Sequence, residues 1–534
     1  MERFFNTAGP IIPEDHYHIP SLQRWDLEEI LSLIDQKRYF VLHAPRQTGK
    51  TSCLLALMEL LNAQEPYASL YVNIEPAQTA RNDVDRGIRT VMGRIAYSAE
   101  FYLKDKRFHK WVKEIKDSES GDNMLTALLQ QWSSHSDQPI VLMLDEIDAL
   151  MGDTLVSVLR QLRAGYSQRP GAFPQSVILC GVRDVRDYRI HTSNNEIITG
   201  GSAFNIKAES LRLGNFSQKE IALLLEQHTE QTGQAFEEGI LEYFWQQTDG
   251  QPWLVNALAY QACFKDKASR DRSQVITLEK MQQVREELIQ RRDTHLDQLV
   301  DKLQEPRVHS VIAPILQNES LDVLPKPDDL QYVMDLGLVK KEKGVIGIAN
   351  KIYQEIIPRE LTYMTQIRFG PDYQPEWYIT QKHKLDMAKL LKAFQEFFRE
   401  HSESWVEGLD YKEAGPQLLL QAFLQRIING GGRIDREYSL GRQRTDLFIQ
   451  WPIDQEKGFS GSVQKVVIEL KILHKAVEAT FQLGLEQTAG YMDRCGAEEG
   501  HLIIFDRDKQ KSWEEKVYQR VEEYGGKSVC VWGM

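Results

Sequence analysis

The sequence predicts a multidomain α/β protein: a parallel α/β sandwich extended by helices and a small helix-and-hairpin module, then a second compact α/β domain. Three observations predict it. From about residue 1 to 210, short apolar runs alternate with helical patterns, as strands joined by crossover helices do. A small-residue loop, Ala44-Pro-Arg-Gln-Thr-Gly49-Lys50-Thr51-Ser52, lies between one such run and one such helix. A Pro- and Gly-rich stretch without apolar periodicity, Arg368–Trp377, reads as a linker between the two halves of the chain.

The first run, Tyr39–His43, is the strand, and Cys53–Leu61 has the helical pattern. A loop in that context offers backbone N–H groups and a helix N-terminus to phosphate oxygens. Pro45, Arg46, Gln47, Thr48, Gly49, Lys50, Thr51 and Ser52 are therefore the expected phosphate contacts, with Lys50 on the β/γ-phosphates and the Thr51 hydroxyl on Mg²⁺. Ala44 stands where the usual pattern has its first glycine. The plain alternative is a chance strand–turn–helix with a surface lysine.

Leu70–Ile74 is the next strand candidate, and an amphipathic helical stretch follows between Val84 and Leu129. The run Ile140–Leu144 ends in Asp145, Glu146 and Asp148 and is expected as a neighbouring strand of the same parallel sheet. There Asp145 would hold Mg²⁺ through water and Glu146 would polarise an attacking water. An apolar strand ending in Asp-Glu is common alone. Paired with the lysine loop, it implies a nucleoside triphosphate ligand with Mg²⁺.

Ser176–Gly181 is a fourth strand and closes a core placed at 1–210. A helical segment fills 211–299: Ser217 to Gln261 is helical in pattern, Ser217-Gln-Lys-Glu220 reads as a capping box, and Thr248-Asp-Gly250-Gln-Pro252 as a turn feeding a helix. Over 300–365, short helices at Val308–Leu316 and Asp328–Asp335 lead to Leu336–Asn350, whose strand–turn–strand resembles the wing of a winged-helix module. The linker is placed at 366–380. The last domain, 381–534, opens with an amphipathic helix at Lys382–Glu400.

That domain carries a second centre. Arg444-Thr-Asp446-Leu-Phe-Ile-Gln is a strand, and Val466-Val-Ile-Glu469-Leu-Lys471 is the next. Residues i and i+2 of a strand face one side, so Glu469 and Lys471 project together, and a hairpin would bring Asp446 to them. Two carboxylates at a strand end bind Mg²⁺ through hard oxygens. A lysine beside them positions or deprotonates a water, the set required for phosphodiester hydrolysis. Gln487 and Tyr491 follow on one face of a helix. Arg426, Arg433, Arg436, Arg442 and Arg444 crowd the approach, either as a phosphate track or as a solvated face paired with Asp435 and Glu437. A surface salt-bridge face is the alternative for the centre itself.

From Lys412 to Phe505 this order resembles the PD-(D/E)xK nuclease superfamily, in the branch whose helix carries Gln and Tyr. The resemblance implies a further acidic residue on the first core helix, for which Glu413 is the candidate and Gln417 and Gln421 the fallbacks. Over residues 15 to 362, the lysine loop, the Asp145-Glu146 strand, Gly181-Val-Arg183 and Gly250-Gln-Pro252 resemble the STAND branch of AAA-like P-loop ATPases. That resemblance implies that Gly250 and Pro252 meet the nucleotide from a helical lid, that Arg183 lies near the γ-phosphate, and that Tyr17-His-Ile-Pro20 lies against the adenine. Gly181 and Val182 stand where many ring-forming members have a polar sensor residue, which argues against ring-type remodelling. Together the resemblances imply an ATP-driven switch governing a Mg²⁺-dependent, restriction-endonuclease-like domain, as in bacterial defence proteins. The alternative is a non-catalytic, ATP-dependent DNA-binding regulator with a degenerate nuclease fold.

Composition bounds these readings. The 534 residues are 42% hydrophobic and 26% charged, ordinary for a globular chain. No apolar run approaches the ~18 residues of a membrane span. The start, Met-Glu-Arg-Phe-Phe-Asn, lacks a signal-peptide layout, so a cytoplasmic location and no membrane partner are expected. The five cysteines form no metal-ligand spacing. A net charge of −13 argues against non-specific coating of nucleic acid but allows a local basic groove. The expected partner is nucleic acid, DNA rather than RNA. Oligomeric state is left open, a homo-oligomer included.

Overall fold

The computed structural model describes residues 2–64, 66–184, 189–191, 197–199, 204–265, 267–290, 302–303, 305–316, 326–342, 344–357, 378–407, 416, 419–421, 423–424, 432–440, 443–454, 458–473, 477–506, 508 and 510–534. The expected linker at Arg368–Trp377 lies outside them. The chain divides into two compact units, Met1–His295 with Lys326–Lys351, and Leu296–Pro325 with Ile352–Met534.

The first unit is built on β1 (Tyr39–His43), β2 (Ala68–Asn73), β3 (Ile140–Asp145), β4 (Ser176–Gly181) and β5 (Lys207–Arg212), a parallel sheet in the order β2-β3-β4-β1-β5. Alternation along each strand splits the core. Tyr39, Val41, Leu70, Val72, Leu142, Leu144, Val177 and Leu179 pack on one face; Phe40, Leu42, Tyr71, Val141, Met143, Ile178 and Cys180 pack on the other. Helices α1 (Leu27–Asp35) and α2 (Lys50–Ala63) cover the second face. The first is covered by α3 (Val84–Tyr102), α4 (Arg107–Ser118), α5 (Met124–Ser134) and α6 (Gly152–Ala164). Strands buried on both faces read as continuous apolar runs, which is why the sequence exposes them.

One expectation is corrected. β3 is not the neighbour of β1, because β4 pairs with both and separates them. The loop and the Asp145 strand still meet, since α2 crosses that face of the sheet and packs against Tyr71 and Met143. The helical stretch expected over Val84–Leu129 is present and consists of three helices. The Asp83 side chain caps the first by accepting from Arg86 N, and the chain reverses before Arg107 and before Met124.

Beyond β5 come α7 (Gln218–Thr232), α8 (Ile240–Thr248), α9 (Pro252–Phe264) and α10 (Leu278–Gln290). The Ser217–Glu220 capping box is present on α7. Gly250 joins α8 to α9 at φ +70°, with its carbonyl accepting from Phe216 N at 2.8 Å. A Cβ there would stand 1.9 Å from Phe216 O. Gly250→Ala is therefore expected to cost more than ~2 kcal/mol and to lower the melting temperature measured by calorimetry, strain and overlap acting together. An unchanged melt would show that the turn relaxes freely.

Of the module read over 300–365, α11 (Pro327–Asp335) and the antiparallel hairpin β6 (Val339–Glu342) and β7 (Val345–Ile348) belong to the first unit. The helix Pro306–Leu316 and residues from Ile352 belong to the second.

The second unit holds α12 (Met387–Glu407), later and longer than the Lys382–Glu400 helix expected, and α13 (Val477–Cys495). Its strands are β8 (Arg433–Leu440), β9 (Gln443–Pro452), β10 (Val463–Ile472), β11 (Glu499–Phe505), β12 (Tyr518–Tyr524) and β13 (Lys527–Gly533), in the order β8-β9-β10-β11-β13-β12. β9 and β10 are antiparallel, while β10 and β11 are parallel and joined through α13. Leu447, Ile449, Val466, Ile468 and Leu470 pack on α12, and Phe448 and Val467 pack on the α13 face.

Candidate functional site

The loop after β1 has the shape of an anion nest. Gln47 and Gly49 both have positive φ, 57° and 96°, so successive N–H groups turn inward, and α2 begins at Lys50. Lys50 is only 6% exposed, and its ammonium donates to Ala44 O at 3.0 Å and Pro45 O at 2.9 Å. Two of three N–H donors thus fix the loop, leaving the third for a phosphate. Thr48 Oγ1 closes the turn by donating to Pro45 O at 2.8 Å. Ser52 Oγ accepts from Ile11 N at 3.0 Å and ties the N-terminal segment to α2. Arg46 lies close enough to lower the Glu146 pKa.

Thr51 Oγ1 donates to Asp145 Oδ2 at 2.8 Å, and the Tyr71 hydroxyl donates to the same oxygen at 2.9 Å. A hydroxyl and a buried carboxylate converging beside the loop are hard oxygen donors and fit Mg²⁺. Glu146 comes next, with left-handed φ 62° and ψ 43°, a conformation non-glycine residues hold only where the surroundings enforce it. Burial, with the Asp148 and Asp145 charges, pushes its carboxyl up to about 7, against the pull of Lys50 and Arg46. Asp148 Oδ1 accepts from Val182 N at 2.9 Å, anchoring the end of β4.

A cavity of about 110 Å³ opens beside the loop, walled by Gln47, Thr48, Gly49 and Ser52, by Tyr17, His18 and Ile19, and by Pro252 and Trp253. Pro252 starts α9, whose N-cap Gln251 side chain accepts from Leu254 N. Arg183 has its guanidinium over the Tyr332 ring of α11, 4.8 Å from the centroid. Sequence reasoning missed Arg24. It donates to Thr48 O at 3.2 Å and Gly214 O at 2.6 Å, pairs with Glu220 at 3.6 Å, and lies over Phe216 at 4.5 Å. One buried guanidinium therefore links the phosphate loop to the start of α7. It precedes α1 and belongs to no motif, so the signal was absent.

In the second unit, alternation places Asp446, Glu469 and Lys471 on the face covered by α13, together with Phe448 and Val467. The last β9–β10 pair before that end is Leu447–Ile468. Beyond it, Asp446 Oδ2 accepts from Leu470 N at 2.7 Å. Lys471 Nζ and Glu469 Oε1 form an ion pair at 2.6 Å, and Glu469 Oε2 is buried without a hydrogen-bond partner. Burial and the Asp446 charge hold the Glu469 carboxyl well above the usual range, with Lys471 pulling the other way. Gln487 and Tyr491 lie on α13; Tyr491 is buried in the same core, and Gln487 Oε1 is buried without a partner.

Two carboxylates and a lysine do meet; no third acidic ligand joins them among the described residues. Glu413, Gln417, Arg426 and Arg442 lie outside those residues. Gln421 is buried, and its neighbours Leu420 and Phe423 pack in the α12-face core. Arg433 and Arg436 lie in β8, and Arg444 lies in β9.

No curated protein matches the chain. Among solved structures it is similar to a Walker-type ATPase of Pyrococcus abyssi, at 13% identity and TM-score 0.45, over 66% of this chain and 99% of that one. It is also similar to Cdc6p of Pyrobaculum aerophilum, at 17% identity and TM-score 0.35, over 65% and 93%. A third is the RuvB Holliday junction branch migration motor of Thermotoga maritima, at 12% identity and TM-score 0.32, over 64% and 98%. The family model of the AAA-like domain matches residues 28–358. The lysine loop, the Thr51–Asp145 pair and Glu146 fall inside that span, and the chain belongs to the AAA-like domain family.

Proposed function

We propose that the protein is an ATP-binding and ATP-hydrolysing switch of the STAND type that controls a Mg²⁺-dependent nuclease domain acting on DNA, in a role such as bacterial defence. The observation that carries the nuclease half is the buried pair Asp446 and Glu469 with Lys471 held 2.6 Å from Glu469. The domains proposed are an ATPase core at 1–210, a helical lid at 211–299, a winged-helix-like module at 300–365, a linker at 366–380 and a nuclease at 381–534.

In the ATPase, Lys50 neutralises phosphate charge and Glu146 accepts the proton of the attacking water. Thr51 and Asp145 would hold Mg²⁺, which neutralises charge on the phosphates when bound. A base with pKa near 7 matches that task. Because ionised Glu146 is the active form, hydrolysis is expected to fall as pH drops through about 7. Asp148→Asn keeps an acceptor for Val182 N and removes one charge that raises Glu146, so its acid limb should move to lower pH. Titration of ATP itself is common to both proteins and cancels. Superimposable kcat profiles would exclude Glu146 as the base.

In the nuclease, Asp446 and Glu469 would hold Mg²⁺. The unbonded Glu469 Oε2 and the hard-oxygen donor set fit that ion, which acts as a Lewis acid on the phosphodiester when bound. Lys471 orients the attacking water, and Gln487 and Tyr491 line the same face from α13. The test is purified protein with plasmid, Mg²⁺ and ATP, each omitted in turn. Mg²⁺-dependent cleavage whose rate changes with ATP supports the reading. Intact plasmid under every condition, with ATP still bound, favours the regulator with a degenerate nuclease fold.

A further inference from the structure

We infer that β12, at the rim of the second unit's sheet, pairs with β12 of a second copy of this chain, antiparallel and centred on Val521. The inference goes beyond the ATPase and nuclease readings and rests on neither. Among the described residues, β12 pairs with β13 alone and ends the sheet. The direction of its backbone groups is set from inside. Met534 N donates to Ile504 O at 2.9 Å, and Asp506 N donates to Met534 O at 2.7 Å. Every second residue back from Met534 therefore turns its N–H and C=O to β11. The alternate residues Val529, Val531 and Gly533 turn theirs to Glu522, Arg520 and Tyr518 of β12. Gln519, Val521 and Glu523 are left with N–H and C=O directed at the open edge. Such an edge is a template for another strand, and natural proteins blunt it with proline, lysine or a bulge. β12, Tyr-Gln-Arg-Val-Glu-Glu-Tyr, has none of these.

Charge complementarity picks a second copy as the occupant. Centred on Val521, the pairing sets Arg520 opposite the partner's Glu522 and Glu522 opposite the partner's Arg520. It also sets Gln519 opposite the partner's Glu523 and Tyr518 opposite the partner's Tyr524. Edge-directed residues must face edge-directed residues, so the centre moves one residue at a time. One step in either direction puts Glu522 against the partner's Glu522, or Arg520 against the partner's Arg520, and like charges directly opposite are unfavourable. Register is therefore specified by the strand itself. The Arg520–Glu522 positions are the non-hydrogen-bonded kind between the copies, where side chains approach closest. Arg520 lies over the Phe481 ring of α13 at 4.0 Å and pairs with Glu522 of its own strand at 3.2 Å, and both side chains stay partly exposed. The four charges then alternate in sign around the pair. Val521, 64% exposed in the single chain, is covered by the partner's Val521. Two backbone hydrogen bonds at the Val521 pair, and two at each Gln519–Glu523 pair, join the strands.

Sedimentation equilibrium of the full-length protein without nucleotide is the test. The wild type is expected to sediment at twice the chain mass. Arg520→Glu and Glu522→Arg, each alone, set like charges opposite each other at two places and should weaken dimerisation by roughly tenfold or more. Mixed in equal amounts, the two variants face each other with opposite charges and should recover dimers. Loss of the ion pair within one strand cannot produce that rescue. Val521→Pro removes an edge-directed N–H and leaves the ladder to β13 intact, so it should give a folded monomer. A wild type that stays monomeric up to about 100 µM overturns the proposal. So does either charge variant dimerising as tightly as the wild type, and so do charge variants that stay monomeric when mixed. A folded Val521→Pro that remains dimeric also overturns it, and the mixing result decides where that variant does not fold.

Discussion

Lys50→Ala is expected to weaken ATP binding by roughly a hundredfold or more, leaving no measurable binding at concentrations that saturate the wild type. Two losses combine. The variant removes a charge-assisted contact to phosphate, worth ~1.5–3 kcal/mol, or about ten- to a hundredfold by itself. It also releases Ala44 O and Pro45 O, the carbonyls that the ammonium ties together, and with them the loop shape that points N–H groups inward. Lys50→Arg should not restore binding. The niche is 6% exposed and fits a compact ammonium, whereas a guanidinium is planar and longer. Glu146→Gln separates binding from chemistry, since it keeps the loop and removes only the proton acceptor. It should bind ATP normally and hydrolyse it at least a hundredfold more slowly. Calorimetry with phosphate-release assays reads both. Wild-type-like affinity in Lys50→Ala would remove the loop from the site.

The first unit was legible in the sequence because its chemistry is local. A strand buried on both faces leaves an apolar run, and the loop, its lysine and the next helix are contiguous, so β1, β3 and β4 were placed within a residue and α2 within three. Sheet order is not local. Nothing in the run Ser176–Gly181 says that it lies between β1 and β3, because register and neighbours are set by crossover packing. Arg24 was invisible for the same reason. It acts through backbone carbonyls of distant segments and belongs to no spacing pattern. Arg183 illustrates the converse. Its place after β4 is plain from the sequence, yet its guanidinium lies over Tyr332, a residue no motif singles out. In the second unit, period-two alternation sufficed to put Asp446, Glu469 and Lys471 on one face. That Glu469 would be nearly sealed, with one oxygen on Lys471 and the other unbonded, depends on how α13 covers the sheet.

That burial sets the second large effect. Glu469 holds its proton well above the ordinary carboxylate range, so between that range and its raised pKa the folded chain binds more protons than the unfolded one. Stability of the second unit should therefore fall as pH rises through that window, and Glu469→Gln should abolish this slope. A divalent cation meeting Asp446 and Glu469 opposes the same penalty, because it favours the ionised form. Mn²⁺ should then raise the melting temperature of the wild type, more at high pH than at low pH, and should do nothing for Asp446→Ala or Glu469→Gln. Lys471→Ala distinguishes a ligand from a catalyst. The lysine is no metal ligand, so Mn²⁺ binding should survive. Its loss also leaves Glu469 without its ion-pair partner, which makes the cation the remaining source of compensation. Cleavage should nevertheless vanish in all three variants, a drop of at least a thousandfold where the wild type cuts, since neither the metal pair nor the water-orienting amine acts alone. Calorimetric Mn²⁺ titration and plasmid cleavage, run on the same preparations, give the two readouts. Unchanged Mn²⁺ binding in Asp446→Ala would reduce the centre to a buried ion pair. Cleavage surviving in Lys471→Ala would leave the metal pair standing and move the water-orienting role to another residue of that face, with Gln487, whose Oε1 is buried and unbonded, the next to test.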